Sequence, residues 1–506
     1  MDSELKEILK GIKGFRDFYP EDCAEYKVIF DAMHSVSCKF GYEEYESPTV
    51  EFAKLIEYKS GQELVDETYR LFDRENRKLV LRPELTPSLA RLVVNQHQRY
   101  PKPMRWYSIP RVFRDETPQR GRVKEHYQFN ADIIGIDHPA ADAEIIALSV
   151  NIIKTAGLED GEFICVVNSR ELLQGFIEYI KAPNYVDVIR AVDARAKHLQ
   201  TALEKKIKKD IQAETGKNPK KREVTDFALK LRTIWQQDPE IKEDYSEIKK
   251  QSILFKYLDQ LNSIEEDGLK TAFIEIGLTS EQAAKLYTFV TIRGKPKDVL
   301  LKLKELDIGE KSEKALKNLE ELAYFLELFN VIENCEYDTS IARGLEYYTG
   351  IVYEFFDRTG YVVRAIAGGG RYDRLVESFG GGLIPATGIG MGETVLHSIL
   401  KHLGRFEEYS SPAKIYVAHI SRDVLAETSE IANKLRNDYS VLFNPLNWNL
   451  SRQLEDAGSR NIPLMVIIGK RDLAENNVTI RDLRTGDQKI VSISELKKEI
   501  KKQLKE

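Results

Sequence analysis

The sequence predicts an α+β core built on an antiparallel sheet, interrupted by a helical insertion and followed by a smaller C-terminal α/β module. Three observations carry this prediction. Short strand patterns separated by loops occupy residues 1–171 and return in residues 326–406; the stretch 172–325 changes to Leu, Lys and Glu at helical periods; and residues 412–506 alternate strand and helix. A length of 506 residues agrees with about three domains at roughly 150 residues each.

The first core segment opens with a helix over residues 21–40, where Tyr26, Ile29, Phe30, Met33 and Val36 recur at helical spacing until Gly41 ends the run. Strand patterns follow at 42–50, toward Pro48, and at 78–81, stopped by Pro83; residues 86–94 read as a helix. Residues 104–113 and 127–136 are strand patterns flanking the polar, glycine-bearing stretch 114–124, which predicts a hairpin with an extended basic loop. The insertion carries the clusters Lys205, Lys206, Lys208, Lys209 and Lys217, Lys220, Lys221, Arg222. Strand chemistry returns at 350–356 and 361–367, ahead of Gly368, Gly369 and Gly370, and a helix follows Gly392. In the last module, strands at 415–418, 441–443 and 463–469 alternate with helices running through Leu435 and Ala457, the pattern of a largely parallel sheet.

Composition narrows the function classes. The 75 basic and 81 acidic residues leave a net charge of −6, so a site for a polyanion must be a local patch. The acidic start MDSELKEILK is wrong for a secretory signal or transit peptide, and no apolar run approaches the roughly 18 residues of a membrane span. An aqueous, cytoplasmic protein with no membrane partner is expected. Cys23, Cys38, Cys165 and Cys335 are far apart, form no CxxC pair and have no His at ligand spacing, which predicts core thiols in a reducing compartment and no protein-only metal cage.

The densest chemical signal is the stretch Phe113-Arg114-Asp115-Glu116-Thr117-Pro118-Gln119-Arg120-Gly121-Arg122. Arginines on a hairpin suit phosphate oxygens, because guanidinium offers rigid paired donors and keeps its charge. A solvated charged loop is the plainer reading of the cluster alone. In Arg82-Pro83-Glu84-Leu85-Thr86, the Glu84 carboxylate and Thr86 hydroxyl can hold an ammonium group, or Thr86 can simply cap the following helix. The peptide Arg343-Gly344-Leu345-Glu346-Tyr347-Tyr348 sets a cation, a carboxylate and two phenols side by side, as a binding element or as an aromatic core strand. The tracts Gly368-Gly369-Gly370-Arg371-Tyr372-Asp373 and Gly388-Ile389-Gly390-Met391-Gly392 let backbone approach a ligand closely, yet neither is GxGxxG, and GxxxxGK[ST], GxSxG and HExxH are all absent. Dehydrogenases, P-loop NTPases, serine hydrolases and zincins therefore lack their sequence anchors.

Taken in order, these pieces resemble the histidyl-tRNA synthetase family of class II aminoacyl-tRNA synthetases over nearly the whole chain except the insertion. Gly14-Phe15-Arg16-Asp17-Phe18-Tyr19-Pro20, the next helix and the strand with Pro48 are similar to the opening and the motif 1 dimer element. Arg114-Asp115-Glu116 is similar to the motif 2 signature Arg-x-Glu, and Arg343-Gly344-Leu345-Glu346-Tyr347-Tyr348 matches a peptide peculiar to the histidine enzymes. The resemblance implies a class II synthetase fold with a C-terminal anticodon-binding-like domain, ATP with Mg2+ and L-histidine as substrates, tRNA(His) as partner, and a homodimer. It implies a histidine–tRNA ligase; the alternative is a non-catalytic regulatory or RNA-binding paralogue. The implied reaction is attack of the histidine carboxylate on the α-phosphorus of ATP, which needs cations around that phosphorus but no general base.

By the same resemblance Arg114 bridges substrate carboxylate and α-phosphate, Arg343 approaches from the opposite side, Arg122 meets the outer phosphates and Glu116 the adenine region. Glu84 and Thr86 take the α-ammonium with Gln128 nearby, while Asp132, Tyr347 and Tyr348 line the amino-acid pocket, Asp132 and Tyr348 at the imidazole; many members carry Glu where this chain has Asp132. Motif 3 of the family ends in Gly-x-Glu-Arg, with the arginine on the γ-phosphate, whereas Gly392-Glu393-Thr394-Val395 has none. Either the tail is held by Arg371, Arg374 or Arg122, or ATP binding is impaired; the retained chemistry elsewhere favours rearrangement, with Arg371 as an ATP ligand. In the last module, Arg452, Arg460, Lys470 and Arg471 are candidates for RNA phosphates or plain solvated surface.

Overall fold

The structure is a computed structural model and describes residues 5, 8–58, 62–117, 123–215, 220, 224, 261–341, 347–362 and 364–504. It divides into two compact units, Met1–Phe406 and Glu407–Glu506.

The first unit is organised by a ten-stranded sheet. Along its path the strands are Glu43–Glu44, Met104–Ser108, Glu125–Ile134, Ala386–Gly392, Ala365–Arg371, Ile351–Asp357, Phe163–Ser169, Cys335–Asp338 and Arg293–Gly294, with Arg111–Phe113 pairing Glu125–Ile134 off the path. Neighbours run antiparallel except for Glu43–Glu44 beside Met104–Ser108 and Cys335–Asp338 beside Phe163–Ser169. The strand expected over 104–113 breaks at Pro110, which has no N–H for a ladder; its carbonyl instead accepts from the Gln128 N–H at 2.9 Å.

Alternation gives this sheet two different faces. Phe129, Ala131 and Ile133 of one strand and Ile389 and Met391 of its neighbour join the main core, against which the helix Pro139–Ala156 is packed. Gln128, Asn130 and Asp132 point the other way, opposite Gly392, Gly390 and Gly388 in register. The helix Pro20–Lys39 starts at a proline with Glu21 and Asp22 in its first turn, buries Tyr26, Ile29, Met33 and Val36, and packs on Pro139–Ala156. Leu316, Leu319, Leu322 and Leu326, on the helix Glu310–Leu328, belong to the same core. The stretch 172–325 thus shares its packing with the sheet and adds the strand Arg293–Gly294 to its edge.

A separate three-stranded antiparallel sheet, Val50–Phe52, Lys78–Leu81 and Arg70–Phe72, leads into residue 84. Buried Arg82 fixes that junction, donating from Nη1 to Glu46 Oε1 at 2.7 Å and the Ser47 carbonyl at 2.6 Å, and from Nε to the Arg111 carbonyl at 2.9 Å. Cys165 and Cys335 are core thiols as expected, whereas Cys23 and Cys38 are exposed on the outer side of their helix.

In the second unit the strand order is Val441–Phe443, Ile415–His419, Leu464–Ile468, Asn477–Asp482, Gln488–Ser492. The first three are parallel, as the strand and helix alternation predicts, and the last two form an antiparallel hairpin extending the sheet. No helix among the described residues is long and apolar enough to cross a membrane.

Candidate active site

On the face away from the helix Pro139–Ala156 the sheet has glycines where side chains would otherwise stand. A Cβ on Gly388 would overlap Asp132 Oδ1, one on Gly390 would lie 3.0 Å from Gln128 Nε2, and one on Gly370 would lie 3.0 Å from Tyr348 Cδ1. The glycines leave a floor, and the side chains of the neighbouring strands rise around it.

Asp132 is 5% exposed, and the Tyr372 hydroxyl donates to its Oδ1. Burial pushes the Asp132 carboxyl up to about 7, although the Tyr372 hydrogen bond acts in the opposite sense. Tyr372 meets Tyr347 edge-on at 6.1 Å, Tyr347 packs on Tyr348 at 4.9 Å, and the Tyr347 hydroxyl reaches Glu84 Oε2 at 3.5 Å. Glu84 is itself buried, and the preceding Pro83 carbonyl accepts from Arg114 Nε at 2.9 Å. Polar side chains therefore lead from Asp132 through Tyr372 and Tyr347 to Glu84, and Arg114 is tied in beside them through the Pro83 carbonyl. Thr86 is the first residue of the helix Thr86–Gln96, whose cap is Leu85, so its hydroxyl does not serve as N-cap. Gln128 Nε2 donates to Asn130 Oδ1 at 2.8 Å, which fixes both amides on the floor.

At the far end of the same face stands His126, whose imidazole burial and the charges of Arg114 and Arg16 press down to about 3, so the ring is neutral at any working pH. Glu116 is 8% exposed at the start of the basic loop, and Asp115 pairs with Lys124 across it. Arg122 and Arg343 lie outside the described residues.

Arg371 is a correction. Its neighbour Tyr372 serves the floor, but Arg371 projects to the opposite face, where Nε and Nη2 donate to buried Asp142, Nη1 to Asp373 at 3.2 Å and to the Ile136 carbonyl, and Nη2 to the His138 carbonyl. A guanidinium so fully engaged behind the sheet is a structural tie and not a ligand of a nucleotide on its front. Arg374 is exposed at the start of the short helix Leu375–Ser378. Tyr372 and Asn130 were not among the residues expected to line the pocket. Tyr372 stands two residues after Gly370, on the same side by strand alternation, and that spacing is the signal that marks it.

In the second unit the Arg452 guanidinium lies 4.2 Å above the Trp448 ring, and Arg460 is paired with Asp456 at 2.9 Å, while Lys470 and Arg471 occupy the short helix Lys470–Ala474.

A mostly antiparallel sheet with a basic hairpin, glycine-floored strands and an acid-and-phenol pocket, in a chain that ends in a separate α/β unit, defines a class II aminoacyl-tRNA synthetase architecture. The histidyl-tRNA synthetase family profile matches residues 14–271 and 249–394, and the anticodon binding domain profile matches residues 414–503. Histidine–tRNA ligase of Thermoplasma volcanium is 32% identical over 489 residues, covering 96% of this chain and 97% of that protein; the ligase of Pyrococcus horikoshii is 32% identical over 499 residues, covering 98% and 100%. The histidyl-tRNA synthetase of Nostoc sp. PCC 7120 has the same fold, with a TM-score of 0.73 at 24% identity over 97% of this chain and 98% of that one. The apo S. aureus enzyme superposes with a TM-score of 0.63 at 18% identity over 97% and 99%. The chain belongs to the histidyl-tRNA synthetase family.

Proposed function

We propose that the protein activates L-histidine with ATP, forming histidyl-adenylate and pyrophosphate, and then transfers the histidyl group to the 3′ end of tRNA(His). The observation that carries this reading is the division of one sheet face into an acid-and-phenol half, Asp132, Tyr372, Tyr347 and Glu84, and a cationic half around Arg114. The imidazole belongs over Asp132, whose carboxyl accepts a ring N–H while a phenol engages the other nitrogen. An amino acid without those ring nitrogens strands buried polar groups, which discriminates far more than a difference in size. Glu84, together with Thr86 and Gln128, takes the α-ammonium.

That placement sets the histidine carboxylate toward Arg114. The carboxylate oxygen attacks the α-phosphorus, the new P–O bond forms as the bond to the β-phosphate bridging oxygen breaks, and pyrophosphate leaves with that electron pair. Arg114, joined by Arg343 from its own segment, neutralises the charge on the phosphoryl oxygens, and Arg122 and Glu116 attend the outer phosphates and the adenine side. Among the described residues no three His, Cys, Asp or Glu side chains converge on one point; Mg2+ enters with ATP as part of the substrate, ligated by phosphate oxygens and water. The second unit meets the anticodon arm of the tRNA, two copies pair through the Pro20–Lys39 region, and the enzyme works in the cytoplasm.

ATP–pyrophosphate exchange with a panel of amino acids tests the reading. Exchange with histidine alone is the expected outcome. Histidine binding without exchange refutes it and favours a sensor that keeps only the pocket. Arg343→Ala is expected to abolish most exchange with the fold intact, and equal turnover in that variant removes its role.

A further inference from the structure

The cationic half of the site ends against a segment to which none of the roles above is given. Residues 14–18 run beside the arginine hairpin: the Lys124 N–H donates to the Gly14 carbonyl at 2.8 Å, and Phe15 meets the Tyr69 ring at 5.9 Å. Arg16 then reaches the start of the helix Glu393–His402, 377 positions on in sequence. Its Nη2 lies 2.5 Å from Glu393 Oε1 and 3.4 Å from Thr394 Oγ1, and its Nη1 donates to the Tyr26 hydroxyl at 2.7 Å.

Three features set this pair apart from a plain structural tie such as Arg371 with Asp142. First, it is incompletely satisfied, because Arg16 Nε and Glu393 Oε2 are both buried without a hydrogen-bond partner. A buried ion pair contributes stability only when its remaining donors and acceptors are met. Second, Arg16 and Arg114 both lower the charge state of His126, so both guanidiniums lie within electrostatic reach of one imidazole. That imidazole faces Gly392, where an added Cβ would lie 3.7 Å from His126 Cδ2. Third, the helix beginning at Glu393 contains no arginine of its own, and Arg16 brings one to its first turn. The Arg16 side chain keeps 25% of its surface exposed while Glu393 is fully buried, so the arginine is the member of the pair that meets solvent.

We infer that Arg16 is a ligand of the outer phosphates of the nucleotide, supplied by the N-terminal segment and oriented by Glu393. The inference rests on the ATP reading of the site and adds the group that grips the tail. A planar, permanently charged fork suits adjacent phosphoryl oxygens, and Glu393 holds it in a ready orientation while offsetting its charge. Burial raises the Glu393 carboxyl pKa despite Arg16, in keeping with a clasp that is not fully compensated.

The test is calorimetric binding of Mg–ATP and of AMP to the full chain and to its Arg16→Ala, Arg16→Lys and Glu393→Gln variants, with thermal unfolding alongside. Arg16→Ala is expected to weaken Mg–ATP by about 10- to 100-fold, the range of a lost charge-assisted pair, while AMP binding stays within about twofold. Arg16→Lys keeps the charge and the pair with Glu393 but loses the fork, and is expected to fall between them with the wild-type melting temperature. Glu393→Gln keeps a side-chain oxygen to orient the guanidinium but removes the offsetting charge, and is expected to bind Mg–ATP at least as tightly as wild type. If Arg16 only clasps the helix, Arg16→Ala and Glu393→Gln lower the melting temperature alike and ATP and AMP weaken together, and the inference is overturned. Nucleotide binding needs no histidine, so a wild-type chain that binds Mg–ATP more tightly than AMP yet shows no exchange refutes the proposed activity and leaves Arg16 in place.

Discussion

On the proposed reading Asp132 carries opposing demands, since it is to read an imidazole from a buried position and burial resists its ionisation. Its folded-state pKa, about 7, lies above the ordinary value of 3.8, so the folded chain holds this proton more tightly than the unfolded chain. The sign follows by linkage: ligand-free stability is greatest below the ordinary value and declines as pH rises toward about 7, beyond which nothing more is lost. Asp132→Asn is expected to remove that decline, melting several degrees above wild type at pH 8 and level with it at pH 4, while KM for histidine rises about 10- to 100-fold. A wild-type melting curve that is flat between pH 4 and 7 disproves the electrostatic part. Tyr372→Phe deletes the hydroxyl that favours the ionised carboxylate, so the carboxyl pKa is expected to climb further and KM for histidine to rise about tenfold. Family resemblance in the sequence points to Glu84, Gln128, Asp132 and Tyr348, and the strand Glu125–Ile134 places Gln128 and Asp132 on one of its faces. The resemblance did not reveal Tyr372, because its partner lies 240 positions away and neither composition nor periodicity reports a pairing over that distance. Arg371 misled for the related reason that a lone arginine in a sequence does not display the buried carboxylate waiting behind the sheet.

At the scale of elements, helices and alternating strands were legible because one-sided burial writes a period into the sequence, as in the helix Pro20–Lys39. The glycine-rich strands were not. Glycine is a poor strand former, so the expected strand stopped at residue 367, whereas Ala365–Arg371 runs through all three glycines and pairs with Ala386–Gly392. Contact explains what propensity cannot: a Cβ on Gly369 would overlap the Gly388 carbonyl oxygen and lie 2.6 Å from Tyr353 Cε2, and one on Gly388 would overlap the Asp132 carboxylate. The two positions therefore fail differently. Gly369→Ala strikes immovable backbone on the core face and is expected to cost about 1–3 kcal/mol or more of stability. Gly388→Ala displaces the Asp132 side chain and is expected to lower kcat/KM for histidine by about 100-fold with the smaller loss of stability. Denaturant unfolding and exchange kinetics on both variants check the contrast, and equal stability losses with unchanged histidine kinetics in Gly388→Ala contradict it.

For the whole molecule, the change of composition at residue 172 was visible in the sequence, but the sharing of one core was not. Leu316, Leu319 and Leu322 pack with Ile145 and Leu148, contacts made between elements that the chain separates by more than a domain's length. The boundary near residue 406 was visible because the strand and helix alternation restarts there, and each side of it has its own apolar core: Ile29 to Leu400 in the first unit, and Ile415, Val466, Ile480 and Ile500 in the second. Every strand of the ten-stranded sheet finds its partners before residue 407, so the first unit needs no backbone hydrogen bond from the second to complete its ladder. A chain ending at Phe406 is accordingly expected to fold cooperatively and to keep histidine-dependent pyrophosphate exchange within about threefold of the full protein, because every described residue of the pocket lies in the retained part. Aminoacylation of tRNA(His) is expected to fall by about 100-fold or more, since the second unit carries the anticodon-binding match. Exchange and aminoacylation measured on the same preparation separate the two effects. Loss of both activities in a folded fragment refutes the independence of the units, and unchanged aminoacylation strips the second unit of its role in holding tRNA.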